Sequence, residues 1–126
     1  MNIIIRNTGE MPIYEQIVSQ IKSAIISGEM GESEPLPSIR QLARELRISV
    51  ITTKRAYEEL EREGFIVTMS GKGSFVASRN MELIREEQRR QMEQALTAAV
   101  SAAKTAGVGK EELAGLIVLL YEEEGG

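Results

Sequence analysis

The chain has 126 residues, of which 42% are hydrophobic and 27% charged, and its formal net charge at pH 7 is −4. This balance is typical of a folded protein, and the length allows one ordinary domain or a small domain with an accessory segment. The sequence contains no His and no Cys, and all 19 acidic residues are Glu. Disulfides, Cys/His zinc sites and catalysis by imidazole or thiolate are therefore excluded. We expect no catalytic residues, no cofactor, no metal site and no enzymatic activity.

No stretch of the sequence approaches the roughly 18 consecutive apolar residues of a membrane span. The first residues, 1–6, also lack the charged segment and the length of a signal peptide. We therefore expect a cytoplasmic protein without a membrane partner.

The charge is unevenly distributed along the chain. Residues 1–79 contain ten Lys or Arg and ten Glu, whereas residues 80–126 contain five and nine. Residues 35–57 alone contain five Lys or Arg and one Glu. The acidity thus belongs to the C-terminal part, and the local basic patch favours a polyanionic partner.

An amphipathic first helix is predicted near the N-terminus. Pro12 precedes apolar residues that recur at helical spacing from Ile13 to Ile25, and Gly28 follows them. Proline at the start and glycine just past the end are typical helix boundaries. Residues 28–37 contain two prolines and are predicted to form a loop.

Two short helices are predicted after the loop. Ser38 and Gln41 have the spacing of a capping box, and the helix that they begin ends near Arg47. Ser49 is a good N-cap for a third helix, which stops at Gly64. The inward face predicted for this third helix consists of Thr53, Ala56, Tyr57 and Leu60. Two short helices joined by a turn of about three or four residues form a helix-turn-helix.

A β-hairpin is predicted to follow the third helix. Two β-rich runs, 65–69 and 74–77, flank a glycine-containing tip. At this tip, Lys72 lies between Gly71 and Gly73, which suits close approach to a minor groove or to phosphates, although Gly-Lys-Gly is also an ordinary soluble turn. The tip lacks the spacing of a phosphate-binding loop, and a strand rather than a helix follows it. The hairpin therefore predicts the wing of a winged helix.

The third helix has the charge pattern of a helix that enters a DNA major groove. Its first half contains no acidic residue, whereas its second half contains four Glu. Glu near a helix C-terminus opposes the helix dipole, so helix stability does not explain this segregation. The predicted DNA-contacting residues are Arg40, Arg44, Ser49, Val50, Ile51, Thr52, Lys54, Arg55 and Lys72. Val50 and Ile51 suit contacts with thymine methyl groups and suit the protein core equally well, so both interpretations stay open.

The C-terminal part is predicted to form two helices. Strong helix formers, rich in Ala, fill residues 80–106, and a Gly-Val-Gly break precedes a second helix over residues 110–124. The last helix has a wide apolar stripe, which would be covered by a second copy of the chain or by its own domain. We favour a second copy, because so short a chain has little other surface. The predicted dimerisation residues are Met92, Leu96, Ala99, Ala103, Leu113, Leu116, Ile117, Leu120 and Tyr121.

Three separated blocks of the sequence carry a resemblance to a known family. They are Leu36-Pro-Ser-Ile-Arg-Gln-Leu-Ala-Arg-Glu-Leu46, Ala56-Tyr-Glu-Glu-Leu-Glu-Arg-Glu-Gly64 and Gly71-Lys-Gly-Ser-Phe-Val76. Their order and spacing resemble the winged helix-turn-helix domain of GntR-type bacterial transcription regulators. Fewer than fifty residues follow this domain, as in the small YtrA-like subgroup, in which two C-terminal helices serve mainly for dimerisation.

The resemblance implies DNA-contacting roles for specific positions of this chain. The matching positions are Arg40, Arg44, Ser49, Thr52, Lys54, Gly71 and Lys72. The sequence departs from the subgroup at Val50-Ile51, where a Pro-Asn-like pair is common, and at Thr53, which is usually aliphatic. The resemblance also implies regulation of the chain's own operon together with transporter genes.

The fold class predicted from these observations is mainly α with a small β-hairpin wing. A winged helix-turn-helix domain over residues 1–78 precedes a two-helix dimerisation segment over residues 79–126. We expect a homodimeric, sequence-specific repressor of a near-palindromic operator in double-stranded DNA. The alternative is a winged-helix protein-interaction module without specific DNA binding. An unknown small-molecule effector would act at the junction Ser78–Met81 by changing the angle between the DNA-binding domains.

Overall fold

The computed structural model describes residues 1–78 and 81–124 and divides into two compact units, Met1–Asn80 and Met81–Gly126. The predicted effector junction includes residues 79 and 80, which lie outside the described residues. In the described ranges, no helix combines the length and the apolar character that a membrane crossing requires.

The first unit is a winged helix-turn-helix, as predicted. Its elements are α1 (Ile13–Ser27), α2 (Ile39–Leu46), α3 (Val50–Arg62), β1 (Ile66–Met69) and β2 (Gly73–Val76). Helix α3 packs against both α1 and α2. The predicted inward face of α3 is buried along its whole length. Within it, Thr53 is fully buried and its hydroxyl donates to the Ser49 carbonyl at 3.1 Å, so this polar replacement for an aliphatic residue is satisfied internally.

Serine N-caps begin both helices of the helix-turn-helix. The Ser38 hydroxyl accepts from the Gln41 N–H and the Ser49 hydroxyl from the Thr52 N–H, both at 3.0 Å. The predicted capping box at Ser38 is wrong in its second half, because the Gln41 side-chain amide donates to Glu45 at 3.2 Å. The Gln41 side chain is thus directed toward Glu45, one turn further along the helix, instead of reaching back to accept from the Ser38 N–H.

The wing is an antiparallel hairpin whose register runs from Ile66 opposite Val76 to Met69 opposite Gly73. Its tip, residues 70–72, closes with the Lys72 N–H donating to the Met69 carbonyl at 2.9 Å. Gly71 has a φ of 76°, and a Cβ there would meet no atom within 4 Å. Glycine is thus required at this position for its backbone conformation and not for space.

The segment 28–37 is more ordered than the predicted loop. The Ser33 N–H donates to the Val76 carbonyl, the Val76 N–H donates to the Glu34 carbonyl and the Leu36 N–H donates to the Ser74 carbonyl, each at 2.9 Å. The segment therefore lies along the outer edge of β2 and braces the wing. The first helix ends at Gly28 as expected, but the pairing of the following segment depends on residues about 40 positions away, which local sequence rules do not report.

An N-terminal arm lies along α1 and is held by two glutamine side chains. The Gln20 amide pairs with the backbone N–H and C=O of Ile4, at 2.9 and 2.7 Å. The Gln16 amide pairs in the same way with Arg6, at 2.8 Å for both bonds. Because the two glutamines are one helical turn apart, they meet alternate residues of an extended segment.

The second unit consists of α4 (Met81–Ala106) and α5 (Lys110–Glu123). Gly107, with a φ of 74°, ends α4 in the left-handed conformation, and the Val108 N–H donates back to the Ala103 carbonyl at 2.8 Å. Ala103 is buried in the single chain. No residue of α5 is buried.

Tyr57 connects α3 to the start of α2. Its side chain is buried, and its hydroxyl donates to the Pro37 carbonyl at 2.7 Å. Burial, together with the nearby negative charge of Glu45, raises the pKa of the Tyr57 phenol. The neutral phenol is thus favoured in the folded state, so its stabilising contribution is present below the ordinary tyrosine pKa near 10 and is lost as the pH rises above it.

We predict that Tyr57→Phe lowers the free energy of unfolding by about 0.5–1.5 kcal/mol at neutral pH, because the Pro37 carbonyl loses its donor. The variant should also lose less stability than the wild type between about pH 9 and pH 11. Urea denaturation followed by circular dichroism measures both effects. The control is Tyr14→Phe, whose hydroxyl bonds to the exposed Glu15 and whose loss should cost less than about 0.5 kcal/mol. Equal effects of the two variants would contradict the assignment.

Candidate nucleic-acid interface

The first two turns of α3 present an exposed face that combines apolar and basic side chains. Ile51 is 80% exposed and Val50 is 42% exposed. The core interpretation of these two residues is therefore wrong, because the buried face of α3 is already filled by the residues that pack against α1 and α2. An isoleucine this exposed on a well-packed domain suits an apolar partner surface such as a thymine methyl.

The hydroxyls of Ser49 and Thr52 form one connected pair at the start of α3. The Ser49 hydroxyl accepts from the Thr52 N–H and donates to the Thr52 hydroxyl at 2.8 Å. The Ser49 hydroxyl hydrogen is thus engaged by Thr52, whereas the Thr52 hydroxyl hydrogen remains available to a partner. Of the two predicted hydroxyl contacts, Thr52 is the better placed to donate to a base edge.

The cations of the helix-turn-helix are exposed and weakly engaged. Arg40 and Arg44, one turn apart on α2, form no salt bridge with any described residue. The Lys54 ammonium lies 3.9 Å from a Glu58 carboxylate oxygen, and both side chains are about two-thirds exposed. Such exposed pairs contribute little free energy, so a phosphate or a base edge can displace Glu58 at low cost.

Two glutamates in the acidic half of α3 form contacts within the protein. Lys22 of α1 is buried and forms a 2.6 Å ion pair with Glu63, which joins α1 to the end of α3. Glu59 accepts a hydrogen bond from Arg62, and this bond holds the pKa of the Glu59 carboxyl below its usual range. Glu59 and Glu63 therefore serve contacts within the domain, and the first half of α3 contains no acidic residue.

Two residues were not predicted as part of this surface. Tyr14 of α1 lies under the Arg55 guanidinium, with 3.8 Å between the Arg55 Cζ and the ring centre. Arg47 has a φ of 57° at the C-cap of α2, in the turn of the helix-turn-helix, where glycine is the usual residue. Local sequence patterns predict neither feature. The Tyr14 contact depends on the packing of α1 on α3, and the Arg47 conformation depends on a single backbone angle.

The wing tip carries the last predicted contacts. Lys72 is exposed and forms no salt bridge in the described part of the chain, and Gly71 beside it has no side chain to limit approach. Below the tip, the Thr68 and Ser74 hydroxyls bond to each other at 2.9 Å across the hairpin. The tip is thus small and carries one positive charge, and a side-chain hydrogen bond joins the two strands below it.

Comparison with known proteins identifies the family to which this arrangement corresponds. Residues 13–76 match the family described as bacterial regulatory proteins, gntR family. The chain is 36% identical over 102 residues to the HTH-type transcriptional repressor YtrA of Bacillus subtilis, covering 81% of this chain and 78% of that protein.

Two solved structures are similar as well. YtrA from Sulfolobus acidocaldarius, a GntR-family transcription factor, superposes with a TM-score of 0.61 at 37% identity, over 75% of this chain and 97% of that one. A complex of AraR(DBD) with operator ORE1 superposes with a TM-score of 0.52 at 25% identity, over 61% of this chain and 94% of that one.

We predict that Ile51→Ala changes the free energy of unfolding by less than about 0.5 kcal/mol, because the side chain is 80% exposed. The matched control on the opposite face of the same helix is Leu60→Ala, which should cost about 2–5 kcal/mol because Leu60 is fully buried. Urea denaturation of the two variants makes the comparison. A large loss of stability in Ile51→Ala would show that Ile51 packs against the protein.

Proposed function

Because the chain belongs to the GntR family of bacterial regulatory proteins and is a DNA-binding transcription regulator, we propose that it acts as a homodimeric repressor of a near-palindromic operator. Residues 1–78 would form the DNA-binding domain, and residues 79–126 would form the dimerisation segment. The repressor role is supported by the similarity to the YtrA repressor of Bacillus subtilis, and operator DNA as the partner by the similarity to AraR(DBD) in complex with an operator. DNA as the partner implies action in the cytoplasm and requires no catalysis.

One observation carries the proposal. The first two turns of α3 present an exposed face, contain no acidic residue and combine Ile51 with Thr52 and Lys54. A recognition helix inserts its N-terminal residues into the major groove, where apolar groups contact thymine methyls and donors contact base edges. The positive end of the α3 dipole then faces the phosphates as well.

The remaining cations are assigned to the DNA backbone or to base edges by position. Arg40 and Arg44 of α2 flank α3 and would contact phosphate or a guanine edge. Lys72, with Gly71 beside it, would reach the minor groove or its phosphates from the wing. Ser49 would fix the start of α3 while Thr52 donates to a base.

The proposed dimer is supported by the exposure of α5. Leu116, Ile117, Leu120 and Tyr121 are 42–68% exposed, and no residue of the helix is buried in the single chain. Soluble monomers rarely leave so many adjacent large apolar side chains in water, and a second copy offers the same surface in return. On α4, Met92 and Leu96 are exposed and Ala99 is half-buried, whereas Ala103 and Leu113 have less area left to contribute.

We predict that the protein enriches a specific duplex from random-sequence DNA and binds it at least about a thousandfold more tightly than a scrambled duplex at physiological salt. Fluorescence anisotropy titrations measure the ratio. Lys54→Ala should weaken binding to the selected duplex by about 1–3 kcal/mol and relax the base preference, because a base-edge contact is lost. The duplex upstream of the protein's own gene, titrated in parallel, tests regulation of its own operon.

Lys72→Ala is compared with Lys54→Ala in the same titrations, since it removes a lysine assigned to phosphate instead of a base edge. It should weaken binding to selected and scrambled duplexes alike and reduce the slope of log affinity against log salt by about one unit per protomer. A wild-type protein that binds selected and scrambled duplexes equally would contradict the proposed sequence-specific function. Unchanged binding by both Lys54→Ala and Lys72→Ala would contradict the assignment of the contact residues.

We predict that the double variant Leu116→Gln, Leu120→Gln raises the dimer dissociation constant at least about a hundredfold, because burial of each leucine contributes about 1.5–3 kcal/mol. Sedimentation equilibrium over a concentration series measures it. The control, Glu112→Gln with Glu122→Gln, alters exposed polar positions of the same helix and should leave the dimer intact. A double leucine variant that stays as dimeric as the control would show that α5 is not the dimer contact.

A further inference from the structure

Arg55 and Tyr14 form the closest cation–π contact in the described residues. The Arg55 Cζ lies 3.8 Å from the centre of the Tyr14 ring, which is stacking distance. Tyr14 belongs to the first turn of α1 and Arg55 to the second turn of α3, so the stack joins the two helices at their exposed edge. The contact is therefore tertiary and depends on the packing of α1 against α3.

The stack fixes the guanidinium without using its hydrogen bonds. A stacked guanidinium has one face covered by the ring, whereas its N–H donors lie in the plane and point past the edge of the ring. Tyr14 is half-buried in the first turn of α1, so its position on the helix and not its exposed hydroxyl restricts the ring. Arg55 thus keeps its donors available while its orientation is restricted.

A role for Arg55 in an ion pair on the α3 surface is not supported by its neighbours. Glu59, one turn further along α3, bonds to Arg62, and Glu58 lies closest to Lys54. In the described parts of the chain, no carboxylate forms a salt bridge with Arg55. The positive charge is therefore left for a partner outside the protein.

With α3 in a DNA major groove, Arg55 would lie near the sugar-phosphate backbone at the edge of the groove. Ile51, the most exposed residue of α3, lies one helical turn before Arg55 on the same side. When the first turn of a recognition helix reaches the base edges, side chains one turn later reach the sugar-phosphate wall. Lys54 is on the other side of the line through Ile51, so the two cations flank Ile51 on opposite sides.

We propose that Tyr14 is a positioning residue, which holds Arg55 in the orientation that binds one phosphodiester at the edge of each half-site. The inference rests on the proposed function, since it requires α3 to lie in the major groove. An arginine ordered before DNA arrives does not have to lose its rotamer freedom on binding, so the phosphate contact is tighter than that of an unrestrained arginine.

The test is a double-mutant cycle on operator binding with Tyr14→Leu and Arg55→Ala. Anisotropy titrations against the selected duplex are run over a series of salt concentrations. Arg55→Ala should reduce the salt slope by about 0.9 per protomer, because one phosphate contact is lost. Tyr14→Leu should weaken binding roughly two- to tenfold, which corresponds to the cost of ordering one side chain. In the Arg55→Ala background, Tyr14→Leu should have no further effect.

Two conservative variants separate positioning from a general effect on the fold. Tyr14→Phe keeps the ring and should bind as the wild type does. Arg55→Lys keeps the charge but loses the planar group, so it should bind more weakly than the wild type and become insensitive to Tyr14→Leu. Urea denaturation of each variant confirms that the domain is folded under the conditions of the titration.

Several outcomes would overturn the inference. A Tyr14→Leu effect that persists unchanged in the Arg55→Ala background would mean that the ring acts independently of Arg55. Wild-type affinity in Tyr14→Leu would mean that the stack does nothing for binding. If Arg55→Ala binds normally while Lys54→Ala loses specificity, the proposed function stands and the inference fails. If the wild type enriches no duplex, the proposed function fails and the inference fails with it.

Discussion

The packing of α3 against α1 and α2 is the constraint on which the rest of the first unit depends. Ala56 and Leu60 are fully buried, and the small side chain at position 56 lets the helices approach closely. A helix with one face filled in this way can present only the opposite face to a partner. The exposure of Ile51 and Lys54 is thus a direct consequence of which residues fill the core. The Tyr57 bond to the Pro37 carbonyl then fixes the start of α2 relative to that face.

Charge segregation along α3 follows from the same packing. The C-terminal half of α3 lies near Lys22, whose buried ammonium requires a carboxylate, and Glu63 supplies it. Glu59 has a partner in this half as well, Arg62, and the negative charge of the glutamates opposes the approach of phosphate to this end of the helix. The N-terminal half has no internal cation to neutralise and contains no carboxylate. A chain with a net charge of −4 can in this way present a positive surface to DNA.

Features encoded by neighbouring residues could be predicted from the sequence. The serine N-caps of α2 and α3, the stop at Gly64 and the hairpin all depend on residues a few positions apart, and the structure has each of them. The features that could not be predicted are tertiary. The edge pairing of residues 33–36 with β2 joins distant segments, as does the holding of the N-terminal arm by Gln16. For the same reason the sequence did not decide whether Ile51 faces the core or a partner. An apolar residue at the start of a helix suits either place, and only the tertiary structure shows that other residues fill the core.

The width of the apolar surface on α5 constrains how the proposed dimer could be arranged. Six consecutive apolar residues, 116–121, are 42–68% exposed, and at 3.6 residues per turn they cover the whole circumference of the helix. A two-fold contact along a single face of α5 would leave half of these side chains in water. A helix that is apolar all round is stable only when neighbours surround it. The proposed second copy would therefore contribute more than its own α5, and α4 offers the exposed apolar side chains of Met92, Leu96 and Val100.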